Sequence, residues 1–235
     1  MDKNSPVITI DGLSATGKST LAQNLSFHLG WPVLFSGMLY RYVAYLVMTG
    51  CLDELESYPI LQTSSELFTN LTNIRCFRAS TGLWQTMVSD TPLAINLQSE
   101  DIAAKAAELA RNQSLRDMLL PVQRAYRIQP GLIAEGRDMA SVVFPDACLK
   151  IFLVAQDSTR ASRRHGELQG NDNYVNMQHI SSVMSKRDTQ DRDRTLQTLQ
   201  IHPDTLVIDT SIIGISAVVN QVLSDPRMSA IQGFN

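Results

Sequence analysis

The chain is expected to fold as an α/β protein, with helices flanking a doubly wound parallel sheet, and three observations carry that expectation. A β-branched apolar run, Val7 to Ile10, stops at Asp11-Gly12 and reopens within a few residues as a helix. Short buried strands, Leu132-Ile133-Ala134, Leu149 to Val154 and Thr205 to Ile208, recur between helix-length segments. Between about Leu67 and Asn96 the pattern changes to short alternating runs, Asn73 to Ala79, Leu83 to Ser89 and Pro92 to Leu97. Turns at Ser80-Thr81-Gly82 and Asp90-Thr91 separate them, which describes a small antiparallel lobe inserted into the alternating chain.

The first element also carries the chemistry. Gly12 to Ser19 fits G-x-x-x-x-G-K-[ST], a phosphate loop whose backbone N–H groups cradle an anion, whose lysine reaches the outer phosphates and whose Ser19 holds Mg²⁺. The helix that follows aims its positive end at the same anion. Average residue usage gives this pattern by chance in on the order of one chain in a hundred of this length, and its place between strand and helix lowers that further. The motif points to a polyphosphate and leaves any acceptor open. Lys18 is expected to be an exposed loop lysine that contributes little packing.

With 235 residues, 44% of them hydrophobic, the chain is long enough to bury a sizeable core. A formal charge of -3 gives no global case for nucleic acid and favours a small-molecule partner. Cys51, Cys76 and Cys148 show no C-x-x-C spacing and are expected to be packing residues. No leader or long apolar span is read, so a reducing cytoplasm is the expected address.

Further along, Thr20 to Leu29 is a helix expected to bury Leu21, Leu25, Phe27 and Leu29 and to end at Gly30. Ser36-Gly37 is expected to cap a helix over Met38 to Met48, in which Arg41 reads equally as a solvated face residue or as a ligand contact. Helices follow at Ser99 to Asn112 and Leu115 to Ile128, and Glu135 to Asp138 falls at a strand's carboxyl end, where ligands bind in such sheets. Arginines 160, 163, 164, 187, 192 and 194 crowd one segment whose middle, Gly166 to Tyr174, is polar. Arg–Asp pairs along an exposed helix would explain them, as Asp188, Asp191 and Asp193 suggest; beside a phosphate loop, a mobile flap carrying phosphate-binding guanidinium groups is the better reading.

Taken together, Val7 to Thr20, Ser36-Gly37 with Tyr40-Arg41, Gln123-Arg124-Ala125 to Pro130-Gly131-Leu132-Ile133-Ala134, Gly136-Arg137-Asp138-Met139, Val142 to Ala147 and Arg187-Asp188…Asp191-Arg192…Arg194 resemble the bacterial cytidylate kinase family. The resemblance runs through nearly the whole chain in order, and Gly-Arg-Asp followed by Val-Val-Phe-Pro-Asp-Ala is its most specific part. It implies a sheet of P-loop kinase type with a helical lid, one domain over 1–235, a monophosphate-binding insert at about 60–110 and a lid at about 157–194. It implies transfer of the γ-phosphoryl of ATP to CMP or dCMP, with Mg²⁺, in a monomer without nucleic-acid or membrane partners. Lys18, Arg137, Asp138 and Arg187 would be catalytic. Gly12, Leu13, Ser14, Ala15, Thr16, Gly17, Lys18, Ser19 and Thr20, with Arg163 and Arg164, would hold the donor. Ser36, Arg41, Ala107, Arg116, Arg137, Asp138, Asp191 and Arg194 would hold the acceptor. The chain departs from the family pattern at Ala15 (commonly glycine), Phe35 (aspartate), Ala107 (serine), Gln98 (arginine) and Ala140-Ser141 (Gly-Thr), changes that bear mostly on specificity. A shifted acceptor such as UMP, or a nucleotide-responsive binding protein without turnover, are the alternatives.

Overall fold

The computed structural model describes residues 5–52, 65–78, 84–93, 97–169, 177–178, 180–186, 188–189, 191 and 202–232. In chain order the elements begin with β1 (Val7–Gly12), α1 (Lys18–Leu29), β2 (Val33–Phe35), α2 (Ser36–Met48) and α3 (Ser65–Thr72). There follow β3 (Ile74–Arg78), β4 (Trp84–Val88), β5 (Thr91–Pro92), α4 (Glu100–Leu109), α5 (Gln113–Ala125) and β6 (Leu132–Gly136). β7 (Leu149–Val154), α6 (Asp157–Gln169), β8 (Leu206–Asp209), α7 (Ile215–Leu223) and α8 (Pro226–Gln232) complete the chain. It divides into two compact units, residues 34–127 and the segments on either side of them.

The main sheet takes the order β2-β6-β1-β7-β8, and β1, β6, β7 and β8 belong to the flanking segments. β1 is parallel to β6 and to β7, and β7 to β8, as the doubly wound expectation requires. Every residue of β1 is buried, which is why its sequence is mostly apolar rather than strictly alternating. Thr9 and Asp11 are the buried polar exceptions, and Asp11 is the charged one. Its carboxylate accepts from Met139 N at 2.8 Å and Ala140 N at 2.9 Å, the first N–H groups of a wide turn over Met139–Val143 that have no partner within the turn. In that turn Phe144 N reaches back to Met139 O at 2.7 Å, one residue further than in an α-helix.

α1 buries Leu21 and Leu25 as predicted, with Ala22 beside them, but Leu29 is only half-buried and Phe27 is 88% exposed. Two residues beyond Leu25 is about 200° around the helix, so the apolar stripe passes it by. Gly166 to Gln169, expected in a flap, continue α6; residues 170–174 lie outside the described residues. Cys51 and Cys148 are exposed rather than packed, Cys148 donating from its thiol to Val7 O at 3.0 Å. Among the described residues no helix is long and apolar enough to cross a membrane.

In residues 34–127, α2 buries Met38, Leu39, Tyr42, Val43 and Ala44. It starts at Ser36 itself, with Phe35 before it and no side-chain cap. The Ser36 hydroxyl accepts from Gln123 Nε2 of α5 at 3.0 Å instead. The predicted meander is present as β3-β4-β5, all antiparallel. Its tight turn is Ser89-Asp90, one residue earlier than expected, because these two take the positive φ values (48° and 63°) that a two-residue hairpin needs, while Thr91 already pairs with Val88. α5 is capped by Asn112, whose Oδ1 accepts from Leu115 N at 3.1 Å. At its far end the Tyr126 hydroxyl lies within hydrogen-bond distance of Leu71 O (2.7 Å) and Ile74 O (3.1 Å), tying α5 to α3 and β3.

Two glycines rank the constraints on the sheet. Gly12 has φ 146°, and a Cβ there would stand 2.3 Å from the Leu153 carbonyl oxygen of β7; at Gly131 a Cβ would meet the buried Trp31 ring at 2.5 Å. The ring can shift and the sheet carbonyl cannot. Gly12→Ala is therefore expected to cost more than about 3 kcal/mol and Gly131→Ala about 1–3 kcal/mol in denaturant unfolding. A Gly12→Ala protein as stable as the parent would contradict this ranking.

Candidate active site

Residues 12–19 leave the carboxyl end of β1 with their backbone carbonyls held by side chains. Gly12 O accepts from Arg137 Nη1 at 2.7 Å. Leu13 O accepts from Lys18 Nζ at 2.7 Å and from Thr16 Oγ1 at 3.0 Å. Ser14 O accepts from Arg160 Nη1 at 3.2 Å, and Thr16 O from Thr210 Oγ1 at 2.9 Å. In a trans peptide the N–H points away from the C=O, so tying back the carbonyls turns the amides toward the other side. That is how a loop becomes an anion cradle. Ala15 takes the left-handed conformation (φ 57°) inside it, and Gly17 (φ 94°) precedes α1.

The ties come from several elements because parallel strands end on one edge. β1 ends at Gly12, β6 at Gly136 and β8 at Asp209, which puts Arg137 and Thr210 within reach of the loop. Glu135 to Asp138 thus occupy the strand end predicted for them. Thr210 is fixed by its N–H on Val154 O at 2.9 Å and by Arg163, whose Nη1 donates to its hydroxyl at 3.0 Å and whose Nη2 donates to its carbonyl.

Lys18 is not the exposed lysine expected from sequence: it is 6% exposed. Burial first, and then the nearby Arg137 cation, push its ammonium down to about 7, against the opposing pull of Glu135, Asp11 and Asp191. Burial likewise lifts Asp11 to about 6, more than its two backbone hydrogen bonds and Lys18 lower it. Lys18, Arg137 and Arg160 all touch this one loop, so it is suited to a polyanion that restores the lysine's charge.

Of the other predicted residues in these segments, Asp191 is buried and accepts from Arg137 Nε at 3.0 Å. Asp138, partly buried, opens the wide turn, its carbonyl accepting from Val142 N at 2.9 Å. Arg163 is engaged with Thr210, and Arg164 pairs with Glu167 at 3.0 Å. Ser19 and Thr20 lie in the first turn of α1. Arg187 and Arg194 lie outside the described residues. In residues 34–127, Arg41 Nη1 donates to Leu97 O at 2.6 Å, so it is not a freely solvated face residue. Arg116 on α5 and Ala107 on α4 are partly buried, and Gln98 Nε2 lies 3.5 Å from Met38 Sδ.

Four residues escaped the sequence reading as site residues: Asp11, Gln123, Arg160 and Thr210. Arg160 was visible only as one of many arginines; it pairs with Asp157 and Asp188, both at 2.6 Å, but it is buried, whereas the Arg–Asp alternative placed such pairs along an exposed helix. Asp11 had a signal, an acid at the end of a mostly apolar strand, and Gln123 stood in the Gln-Arg-Ala stretch of the resemblance without a role; Thr210 had none.

Comparison with known proteins adds a family. The family described as cytidylate kinase matches residues 8–227. Over 234 residues the chain is 35% identical to the cytidylate kinase of Pseudomonas fluorescens, covering 99% of this chain and 100% of that protein. It is 36% identical over 230 residues to that of Shewanella denitrificans, covering 97% and 99%. To that of Serratia proteamaculans it is 36% identical over 224 residues, covering 95% of each.

The depressed Lys18 gives a proton-linkage test. With a free-site value of about 7, the lysine is roughly nine-tenths neutral at pH 8. A bound nucleoside triphosphate, itself fully ionised at that pH, raises the lysine again, so binding is expected to take up about 0.9 proton at pH 8 and almost none below pH 6. Calorimetry in buffers of different ionisation enthalpy measures this, and heats independent of buffer at pH 8 would contradict it.

Proposed function

The chain belongs to the cytidylate kinase family, and from that premise we propose that it transfers the γ-phosphoryl group of ATP to CMP or dCMP, giving ADP and CDP or dCDP. The observation that carries this reading is Arg137. The residue that the family resemblance assigns to the acceptor phosphate is hydrogen-bonded to a carbonyl of the donor loop, through Gly12 O at 2.7 Å, and to the acceptor-assigned Asp191 at 3.0 Å. One guanidinium that serves both partners suits direct in-line transfer, in which an acceptor phosphate oxygen bonds to the γ-phosphorus as the bond to the ADP oxygen breaks.

In this reading the loop amides and Lys18 hold the donor, and Lys18 and Arg137 offset the charge of two polyanions brought together. Arg187 and Arg194 are assigned to the same task by resemblance alone. Ser36, Arg41, Arg116 and Ala107 are assigned to the acceptor nucleotide on residues 34–127, with Gln123 holding the Ser36 hydroxyl in place. The insert at about 60–110 and the stretch at about 157–194 are the corresponding monophosphate lobe and lid. Mg²⁺ suits the donor set: Ser19 supplies one hydroxyl in the first turn of α1, and this ion takes most of its ligands from phosphate oxygens and water. When bound it neutralises donor oxygens. The charge of -3 gives no global electrostatic case for nucleic acid and favours small-molecule partners, while a cytoplasmic monomer is assigned by the family resemblance.

The test is a coupled assay of ATP with CMP, dCMP, UMP and AMP. CMP and dCMP are expected to have the highest kcat/KM; UMP preferred outright, or no turnover with any acceptor, would contradict the reading. Lys18→Ala is expected to lower kcat by about 10³ or more, with a Tm within a few degrees of the parent because Thr16 still holds Leu13 O. Ala107→Ser adds one neutral hydrogen-bonding partner and is expected to sharpen the CMP-to-UMP ratio of kcat/KM about five-fold. An unchanged ratio would remove position 107 from the base edge.

A further inference from the structure

The chain beyond α6 turns one helical face onto the phosphate loop. Residues 180–186, 188–189 and 191 are helical, and the spacing from Ile180 to Met184, Asp188 and Asp191 places all four on the same side. All four are buried. Each reaches the loop by a different contact. Ile180 and Met184 form a small apolar cluster of their own, against which Ala15 packs. Asp188 pairs at 2.6 Å with Arg160 Nη1, the same nitrogen that donates to Ser14 O. Asp191 pairs with Arg137, which donates to Gly12 O.

Ala15 is the informative member. Its left-handed backbone (φ 57°) disfavours any side chain, and glycine would adopt it without strain. The alanine methyl is therefore a liability to the loop by itself, and what it gains is contact with Ile180 and Met184. Apolar and ionic contacts from these four residues thus reach three loop residues, Ala15 directly and Ser14 and Gly12 through Arg160 and Arg137, while Asp191 is assigned to the acceptor.

We propose that this face couples the two nucleotide sites: acceptor binding at Asp191 and Arg137 stiffens the donor loop, so each nucleotide tightens the other, and Met184, Asp188 and Arg160 are positioning residues that touch neither. This rests on the kinase reading above. The coupling needs no large movement, because a loop already restricted by the first ligand loses less freedom to the second. It is also reciprocal, so either ligand can be the one titrated.

The experiment uses the full chain and a non-hydrolysable ATP analogue with Mg²⁺, its Kd measured by calorimetry with and without saturating CMP. In the parent, CMP is expected to tighten the analogue about ten-fold. Asp188→Asn and Met184→Ala are expected to cut that factor to about three or less, leaving the Kd of CMP alone within about two-fold. In turnover, the KM for ATP should rise at saturating CMP and not at low CMP. Ala15→Gly guards against variants that fail to fold: it relieves the backbone, so Tm should hold or rise, yet it removes the methyl and should weaken coupling. A parent factor of one, or three variants that keep the parent factor, would overturn the proposal. Coupling lost while transfer to CMP persists supports it; absence of transfer in the parent would overturn the kinase reading and this proposal together.

Discussion

The structure depends on one arrangement, a phosphate loop whose carbonyls are committed to side chains. Arg137, Lys18 with Thr16, Arg160 and Thr210 take the carbonyls of Gly12, Leu13, Ser14 and Thr16 respectively. Without those donors the peptide planes would be free to rotate, and the amide dipoles would average rather than converge. A net hydrogen bond is worth only about 1 kcal/mol, so no single tie holds the loop. Several from different elements do. The parallel sheet supplies them, because it brings the ends of β1, β6 and β8 to one edge.

The same arrangement explains the electrostatics. A lysine that must meet an incoming polyphosphate gains most from water exclusion, since charge interactions strengthen as the local dielectric falls. Burial, however, works against the free ammonium, and it draws Lys18 to about 7 and Asp11 to about 6. Acid and base thus sit near neutrality side by side. Asp11 is held there for a structural reason, to cap the wide turn that follows Asp138. The phosphate loop and the Gly-Arg-Asp segment are in this way locked to each other through a buried carboxylate.

What could be read from sequence was what local pattern encodes. The strand-loop-helix at Gly12 to Ser19, the buried strands β6 and β7, the meander and the Glu135 to Asp138 strand end all follow from periodicity and turn chemistry within about ten residues. What could not be read was contact across the chain: Thr210 to Thr16 spans 194 residues, Arg160 to Ser14 spans 146 and Gln123 to Ser36 spans 87. Phe27 was misplaced because a hydrophobic residue need not be inside. Lys18 was misplaced because lysine in a loop is ordinarily solvated, and only the fold shows how much surrounds it. The hairpin turn moved by one residue because Ser89 and Asp90 can both take positive φ, a property of geometry that residue preference signals only weakly.

The central claim is that the loop is built before the nucleotide arrives. Crystal structures of the protein alone and with a non-hydrolysable ATP analogue and Mg²⁺ test it most directly. The account predicts that the backbone of residues 12–19 superimposes within about 1 Å between the two, with Arg137, Arg160 and Thr210 still bonded to the carbonyls of Gly12, Ser14 and Thr16. A loop rebuilt on binding, with those three bonds broken in either structure, would contradict it.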